Sequence, residues 1–414
     1  METNASLELA KHTLLLFGTI LAIGTFSGLL ARLVRVPDVV VFLLVGILLG
    51  PGMLGLVDLQ AGSALNQLIL IFGSSYILFD GGASIRLKVL KEVWITVLAI
   101  STLGVLVTAA ITGLAAYYVF GIPALVALLL GCVLASTDPA TLVPVFKQVR
   151  IRDRVAQTVM SESAFNDAMG AILTFTVLGL ALGTGDFSAG DAVADLFAQA
   201  GIGIVIGGVL GYLAAVLIAH EKFGFLAEYA PVVTLMAVIG AYMSADGLHA
   251  SGFMAVFVFG ILIGNQASLG FSSGKHDEAQ LEDFVMTTSL VMRMFIFILL
   301  GSQVDFALMN QYWLGGVAVV TIFMLAARPA TVFLCAMPDR RARWTLRELL
   351  FMCWTRETGV IPGALAGLLL GMKAPGAELI ASVTFIAILM TILIQATTTR
   401  WLARKLNLLV EKSV

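Results

Sequence analysis

Two stretches of this 414-residue chain place acids inside apolar surroundings. The first reads Ser161-Glu162-Ser163-Ala164-Phe165-Asn166-Asp167. On a helix, Glu162 meets Asn166 and Ser163 meets Asp167 one turn apart, so four polar side chains share about 140° of one face. The second reads Ser136-Thr137-Asp138-Pro139. Pro139 removes a backbone donor and disfavours helical geometry at Asp138, which frees a carbonyl near Thr137 to face a cavity. Carboxylate, hydroxyl and freed carbonyl oxygens are hard ligands that suit an alkali cation. The same groups could instead join two helices by hydrogen bonds. Two aspartates with no evident basic partner argue against that simpler role.

A carboxylate taken out of water also accepts a proton more readily. Free aspartate titrates at about 3.9 and desolvation raises that value, so one such site holds a proton or a cation in turn. Competition of this kind is sufficient for exchange. The histidines (His12, His220, His249, His276) fall near span ends or in loops, so no imidazole relay is expected in mid-membrane. The remaining charges within apolar runs are Arg293, Arg328, Arg356 and Glu357. Each costs roughly 2.5–3.5 kcal/mol to insert, and with Asp138, Glu162 and Asp167 the acids outnumber the bases. Arg328, in Ala326-Ala327-Arg328-Pro329, is the expected structural counter-ion of Glu162. Arg293 is expected to neutralise either half-helix ends or Glu357. Asp80 reads as a turn or capping residue, and Asp246 and His249 as solvated residues of an outer turn.

The elements that carry these residues follow from composition. Apolar residues make up 59% of the chain and charged residues 12%, and the mean hydropathy is +1.01. A soluble core, a disordered chain and a disulfide scaffold are excluded, and what remains is an all-α polytopic membrane protein. The 41 glycines suit close helix packing in lipid. A net charge of −2 gives no sign of a nucleic-acid partner. Cys132, Cys335 and Cys353 all lie in apolar runs and form no metal or disulfide pattern.

At about 20 apolar residues per crossing, thirteen spans are expected. They are 12–31, 37–55, 64–82, 93–119, 123–146, 155–183, 196–219, 227–246, 250–266, 284–303, 311–337, 348–370 and 378–400. The alternate connections that would face the cytoplasm hold nearly all the basic residues, leaving Lys11 and Lys373 on the other side. The positive-inside rule then puts the N-terminus outside and the C-terminus inside. The first span is expected to be retained rather than cleaved, and no soluble C-terminal domain is expected. Spans seven apart run in opposite directions, so spans one to six could mirror eight to thirteen as inverted repeats. Spans five and twelve, again seven apart, are both interrupted, the latter at Thr355-Arg356-Glu357-Thr358-Gly359 before Pro362. Broken helices at matching positions point to a transporter's ion site.

These strings resemble the NhaP-type sodium/proton antiporters of the cation/proton antiporter superfamily. The resemblance rests on Thr137-Asp138-Pro139-Ala140-Thr141-Leu142 followed by Glu162-Ser163-x-x-Asn166-Asp167. It extends to Leu78-Phe79-Asp80-Gly81-Gly82, Arg293-x-Phe295-Ile296-Phe297 and Ala327-Arg328-Pro329, and it runs through all thirteen spans in order. It implies a homodimer in a prokaryotic inner or plasma membrane, with two crossed discontinuous helices and an elevator-like moving core. The core is expected mainly in 123–183 and 284–370, and the dimer region mainly in 12–55 and 196–266. By position, Asp167 is the implied shared cation and proton site, completed by Asp138, Ser163 and Thr137. Glu162, Asn166 and Arg328 would hold the core, with Arg293, Arg356 and Glu357 as possible modulators. Asn166, where electrogenic relatives carry a second aspartate, implies one cation per proton. No cofactor is expected; sodium or lithium and protons are the cargo. One departure stands out: the family's Arg-Gly in span twelve is Thr358-Gly359 here, with Arg356 and Glu357 just upstream.

A potassium/proton antiporter with the same site is the main alternative. An intramembrane aspartyl protease is a remote one, since Gly183-Thr184-Gly185-Asp186 matches its Gly-x-Gly-Asp string but places the acid in an outer loop. A channel would favour symmetric rings of ligands over one asymmetric carboxylate pair.

Overall fold

The computed structural model describes residues 2–34, 36, 38–137, 151–183, 189–219, 224–271, 275–304 and 306–409. Their regular structure is helical, apart from one isolated bridge between Ile151 and Leu409. Nine helices among them are long and apolar enough to cross a membrane, and four more, Asp38–Leu49, Ala124–Ala135, Gly252–Gly264 and Val360–Gly371, are shorter. Together these account for the thirteen expected spans, in order.

The short helices are where the chain departs from a simple crossing. Span two, expected over 37–55, ends as a helix at Leu49. The Gly50-Pro51-Gly52 string follows, and proline can neither donate to nor fit within a continuing helix. Span five is helical over Ala124–Ala135, and Ser136 is already extended (φ −70°, ψ 151°). The rest of the expected span, including Asp138 and Pro139, lies outside the described residues. Span twelve is two helices, Leu346–Trp354 and Val360–Gly371, separated by the non-helical residues 355–359. The second half is buried on all sides from Val360 through Leu369, as expected of an apolar helix at the centre of a bundle.

Spans eleven and thirteen each widen once into a π turn. In span eleven, Phe323–Ala327 is π-helical and the N–H of Arg328 reaches back to the carbonyl of Phe323. Pro329 follows directly, and a regular turn would press its ring against the carbonyl four residues earlier. In span thirteen the π segment is Thr391–Ala396. Such bulges re-aim the side chains that follow and recur at functional sites.

Backbones approach closely at glycine. A Cβ on Gly131 of span five would lie 2.2 Å from the carbonyl oxygen of Ala109 in span four. One on Gly170 of span six would lie 2.2 Å from Ser136 Oγ. Both contacts press the end of the broken fifth helix against its neighbours, the small-residue packing on which helix association in lipid depends.

Candidate functional site

Span six, helix Asp153–Ala181, carries the acidic string in its buried middle. Ser163 and Asp167 point at the end of the fifth helix, as their one-turn spacing requires. Asp167 Oδ1 accepts the N–H of Thr137 at 2.9 Å, and Thr137 Oγ1 lies 2.8 Å from Ser163 Oγ. All three are at most 2% exposed. The structure therefore brings together three of the four residues expected to bind a cation. The fourth, Asp138, is the next residue in the chain and lies outside the described residues. Ser136 Oγ and Asn166 Oδ1 are buried beside this group without a hydrogen-bond partner among the described residues. A set of oxygen donors at the open end of a helix is what a desolvated alkali cation requires.

The other pair on the same helix faces span eleven. Arg328 donates Nη2 to Glu162 Oε2 at 2.9 Å and Nη1 to Glu162 Oε1, a two-pronged arrangement. Its Nε donates to the carbonyl of Met352 at 2.8 Å, in the first half of span twelve, Leu346–Trp354. Asn166 Nδ2 donates to Glu162 Oε1 at 3.1 Å. Arg328 and Glu162 are 1% and 2% exposed. The expected Glu162–Arg328 ion pair is present, and it links spans six, eleven and twelve.

Arg356 resolves the departure in span twelve. It leaves the break and crosses to spans four and five, donating Nη2 to the carbonyl of Ala135 and Nη1 to Thr108 Oγ1 at 3.1 Å. Thr108 in turn sits 2.9 Å from Thr331 Oγ1 of span eleven. The guanidinium also stacks over Phe323, 5.3 Å from the ring centre. The last carbonyls of a helix have no partner within it and carry its negative dipole end. Arg356 satisfies one of them and counters that charge within electrostatic reach of Asp167. Glu357 is fully buried next to it. Arg293 is only partly buried and forms no ion pair with a described residue. Asp80 lies in the last turn of helix Ala64–Ala83, and His249 takes a left-handed turn (φ 54°) after Asp246, as expected of both. Asp186, the acid of the protease-like string, lies outside the described residues.

A cluster around Glu348 has no counterpart among the sequence expectations. Glu348, 2% exposed, accepts Arg154 Nη2 at 3.0 Å and sits 3.7 Å from Arg152 Nη1. It also closes a capping box with Thr345. Arg154 stacks over Trp344 at 4.3 Å, Trp344 Nε1 donates to Thr96 Oγ1 at 2.8 Å, and Thr96 donates to Asp339. The Thr345-Leu346-Arg347-Glu348 string was a readable capping signal, but nothing local marked Glu348 as a partner for span six. Burial acts to raise the Asp339 carboxyl, yet donors from Thr96, Ala342 and Arg341 outweigh it and hold the group below the usual carboxylate range.

Residues 18–405 match the family model described as sodium/hydrogen exchanger, transmembrane. The chain is 32% identical over 358 residues to Na(+)/H(+) antiporter 1 of Methanocaldococcus jannaschii, covering 84% of this chain and 81% of that protein. It is 29% identical to the K(+)/H(+) antiporter NhaP of Alkalimonas amylolytica, covering 98% of this chain and 69% of that one. The solved structure of the sodium proton antiporter MjNhaP1 from M. jannaschii at pH 8 superposes with a TM-score of 0.83 at 30% identity. That match spans 96% of this chain and 99% of the other.

Proposed function

The chain belongs to the sodium/hydrogen exchanger family of membrane transporters, and we propose that it exchanges sodium, or lithium, for protons one for one at Asp167. The observation that carries this reading is the meeting of Asp167 with the Thr137 N–H and the Ser163–Thr137 hydroxyl pair at the end of a broken helix. Asp138 completes the ligand set. When Asp167 is ionised, its charge and the surrounding oxygens replace the water shell of a cation. When it is protonated, the site has lost the charge of Asp167, the cation is held too weakly, and it leaves. Each trip across the membrane carries one positive charge in either form, so a full cycle moves none. Alternating access then needs only that the core, with the site inside it, reach both faces.

Glu162, Asn166 and Arg328 hold that core, and Arg356 with Glu357 sets the charge balance at the two helix breaks. Arg293 acts as a modulator. The protein works as a homodimer in a lipid bilayer, N-terminus outside and C-terminus cytoplasmic, without a resident cofactor and without enzymatic activity. Spans within 12–55 and 196–266 form the dimer region, and their large exposed apolar side chains, such as Phe26, Leu29, Val205 and Tyr212, support this. Potassium is the second reading, favoured by relatives named as K(+)/H(+) antiporters.

Purified protein in liposomes holding a pH-sensitive dye tests both readings. Sodium should collapse an imposed pH gradient, and Asp167→Asn should abolish the response while the protein remains folded. Retained exchange by that variant would remove Asp167 from the mechanism, and a potassium response equal to that of sodium would favour the second reading.

A further inference from the structure

The break in span twelve has a second wall, built by the neutral side chains of span thirteen. Thr358 donates its N–H to Thr391 Oγ1 at 3.0 Å, and Trp354 donates Nε1 to Thr398 Oγ1 at 2.8 Å. The two spans run antiparallel, so Thr391 and Thr398 bracket the break from its two ends. Gln395 stands between them on the same helix face, four residues after one and three before the other. It is therefore placed opposite residues 355–357, where Arg356 leaves the chain. Gln395 is 1% exposed, and neither its Oε1 nor its Nε2 has a hydrogen-bond partner among the described residues. Thr358 Oγ1 and Arg356 Nε are buried in the same condition.

Buried polar atoms are almost always satisfied, by protein or by ordered water with two to four polar neighbours. The π segment Thr391–Ala396 explains how a membrane helix comes to offer such groups here. Thr391 spends its own hydroxyl proton on the carbonyl of Ala387 at 2.7 Å, which leaves an oxygen lone pair aimed at the Thr358 N–H. That N–H lies in the break, one residue before Gly359, the N-cap of the outer half-helix, which supplies no capping side chain.

We propose that Thr391 and Gln395 are positioning residues for the exchange site. Thr391 anchors the last residue of the break before the N-cap of the outer half-helix. Gln395 holds ordered water against the break, shared with Thr358 Oγ1 and Arg356 Nε. Together they fix the path of residues 355–359, and through it the reach of Arg356 to the Ala135 carbonyl at the cation-binding end of span five. Neither residue touches the cation. This inference rests on the exchange function proposed above.

The test measures initial exchange rates against sodium concentration in proteoliposomes for wild type, Thr391→Ser, Thr391→Val and Gln395→Leu. Thr391→Val and Gln395→Leu should each raise the apparent KM for sodium about three- to tenfold, the effect of one misplaced hydrogen bond, with a smaller change in maximal rate. Thr391→Ser, which keeps the hydroxyl, should retain the wild-type KM. The inference is overturned if Thr391→Val and Gln395→Leu keep the wild-type KM, or if serine and valine at 391 are equally impaired. Should Gln395→Leu fail to fold, the serine and valine pair decides it. Absence of exchange by the wild type would instead sink the function on which the inference rests.

Discussion

Arg356 of span twelve donates to the carbonyl of Ala135, the last residue of helix Ala124–Ala135, and so joins the break in span twelve to the end of that helix. The contact places a buried positive charge where a helix dipole ends, within electrostatic reach of Asp167. A second donation, to Thr108, fixes the guanidinium from the side of span four.

Loss of that charge should slow transport more than it unfolds the protein. Arg356→Met keeps much of the volume but leaves the Ala135 carbonyl unpaired. A hydrogen bond from a charged donor is worth about 1.5–3 kcal/mol, which corresponds to roughly a 10- to 100-fold fall in exchange rate if it is expressed in the transport barrier. Rates in proteoliposomes normalised to reconstituted protein check this. Wild-type rates in the variant would show that the contact is incidental.

The Glu162–Arg328 pair should behave in the opposite way, mainly through stability. Removing one partner leaves a buried charge alone, at about 3–5 kcal/mol, whereas replacing both with apolar groups is far milder. Glu162→Gln and Arg328→Met are each expected to lower the melting temperature markedly, and the double variant Glu162→Leu with Arg328→Met to recover most of the loss. Thermal unfolding of the purified protein in detergent distinguishes the pattern from simple additivity.

Gly170 should prove sensitive to a single methyl group. A Cβ there would lie 2.2 Å from Ser136 Oγ and 3.3 Å from the Ser136 nitrogen, one residue before the amide that holds Asp167. Gly170→Ala is expected to weaken sodium binding several-fold, and adding Ser136→Ala should restore much of it by removing the closest clash. A double variant no better than Gly170→Ala would place the effect elsewhere.

One-for-one exchange predicts indifference to membrane voltage. Moving one net charge through 100 mV is worth about 2.3 kcal/mol, roughly 50-fold in the gradient a carrier can sustain. The sodium gradient that just balances a fixed pH gradient should therefore be the same at 0 and −100 mV, set with a potassium ionophore. A voltage-dependent balance point would require a second charge in the cycle.

Asp339 gives a stability effect with a defined sign in pH. Its carboxyl is held below the usual range in the folded protein, so it binds protons less readily folded than unfolded. Its stabilisation is full above the unfolded value of about 3.9 and is lost as pH falls through the lower folded value. The melting-temperature gap between wild type and Asp339→Asn should be constant from pH 6 to 9 and should close only in strong acid. A gap that grows on acidification would contradict the assignment.

Much of this molecule is legible in its sequence. Spans are legible because burial length and insertion cost are local properties of the sequence, and the thirteen expected crossings appear in order. Glu162, Ser163, Asn166 and Asp167 were assigned to their faces by helical spacing alone, and Arg328 was matched to Glu162 because a buried charge requires an opposite one. The interruption of span twelve was visible as polar residues in an apolar run.

What folding decided is which distant groups those side chains meet. The sequence leaves the partner of Arg356 open, and only the packing of span four beside span five presents it with Thr108 and the Ala135 carbonyl. Thr391 and Gln395 gave no local signal, because uncharged polar residues in a membrane helix are common and the π turn that aims them is not written in any short motif. A buried charge announces itself in sequence through its cost; a neutral hydrogen bond acquires meaning only when two helices bring its halves together.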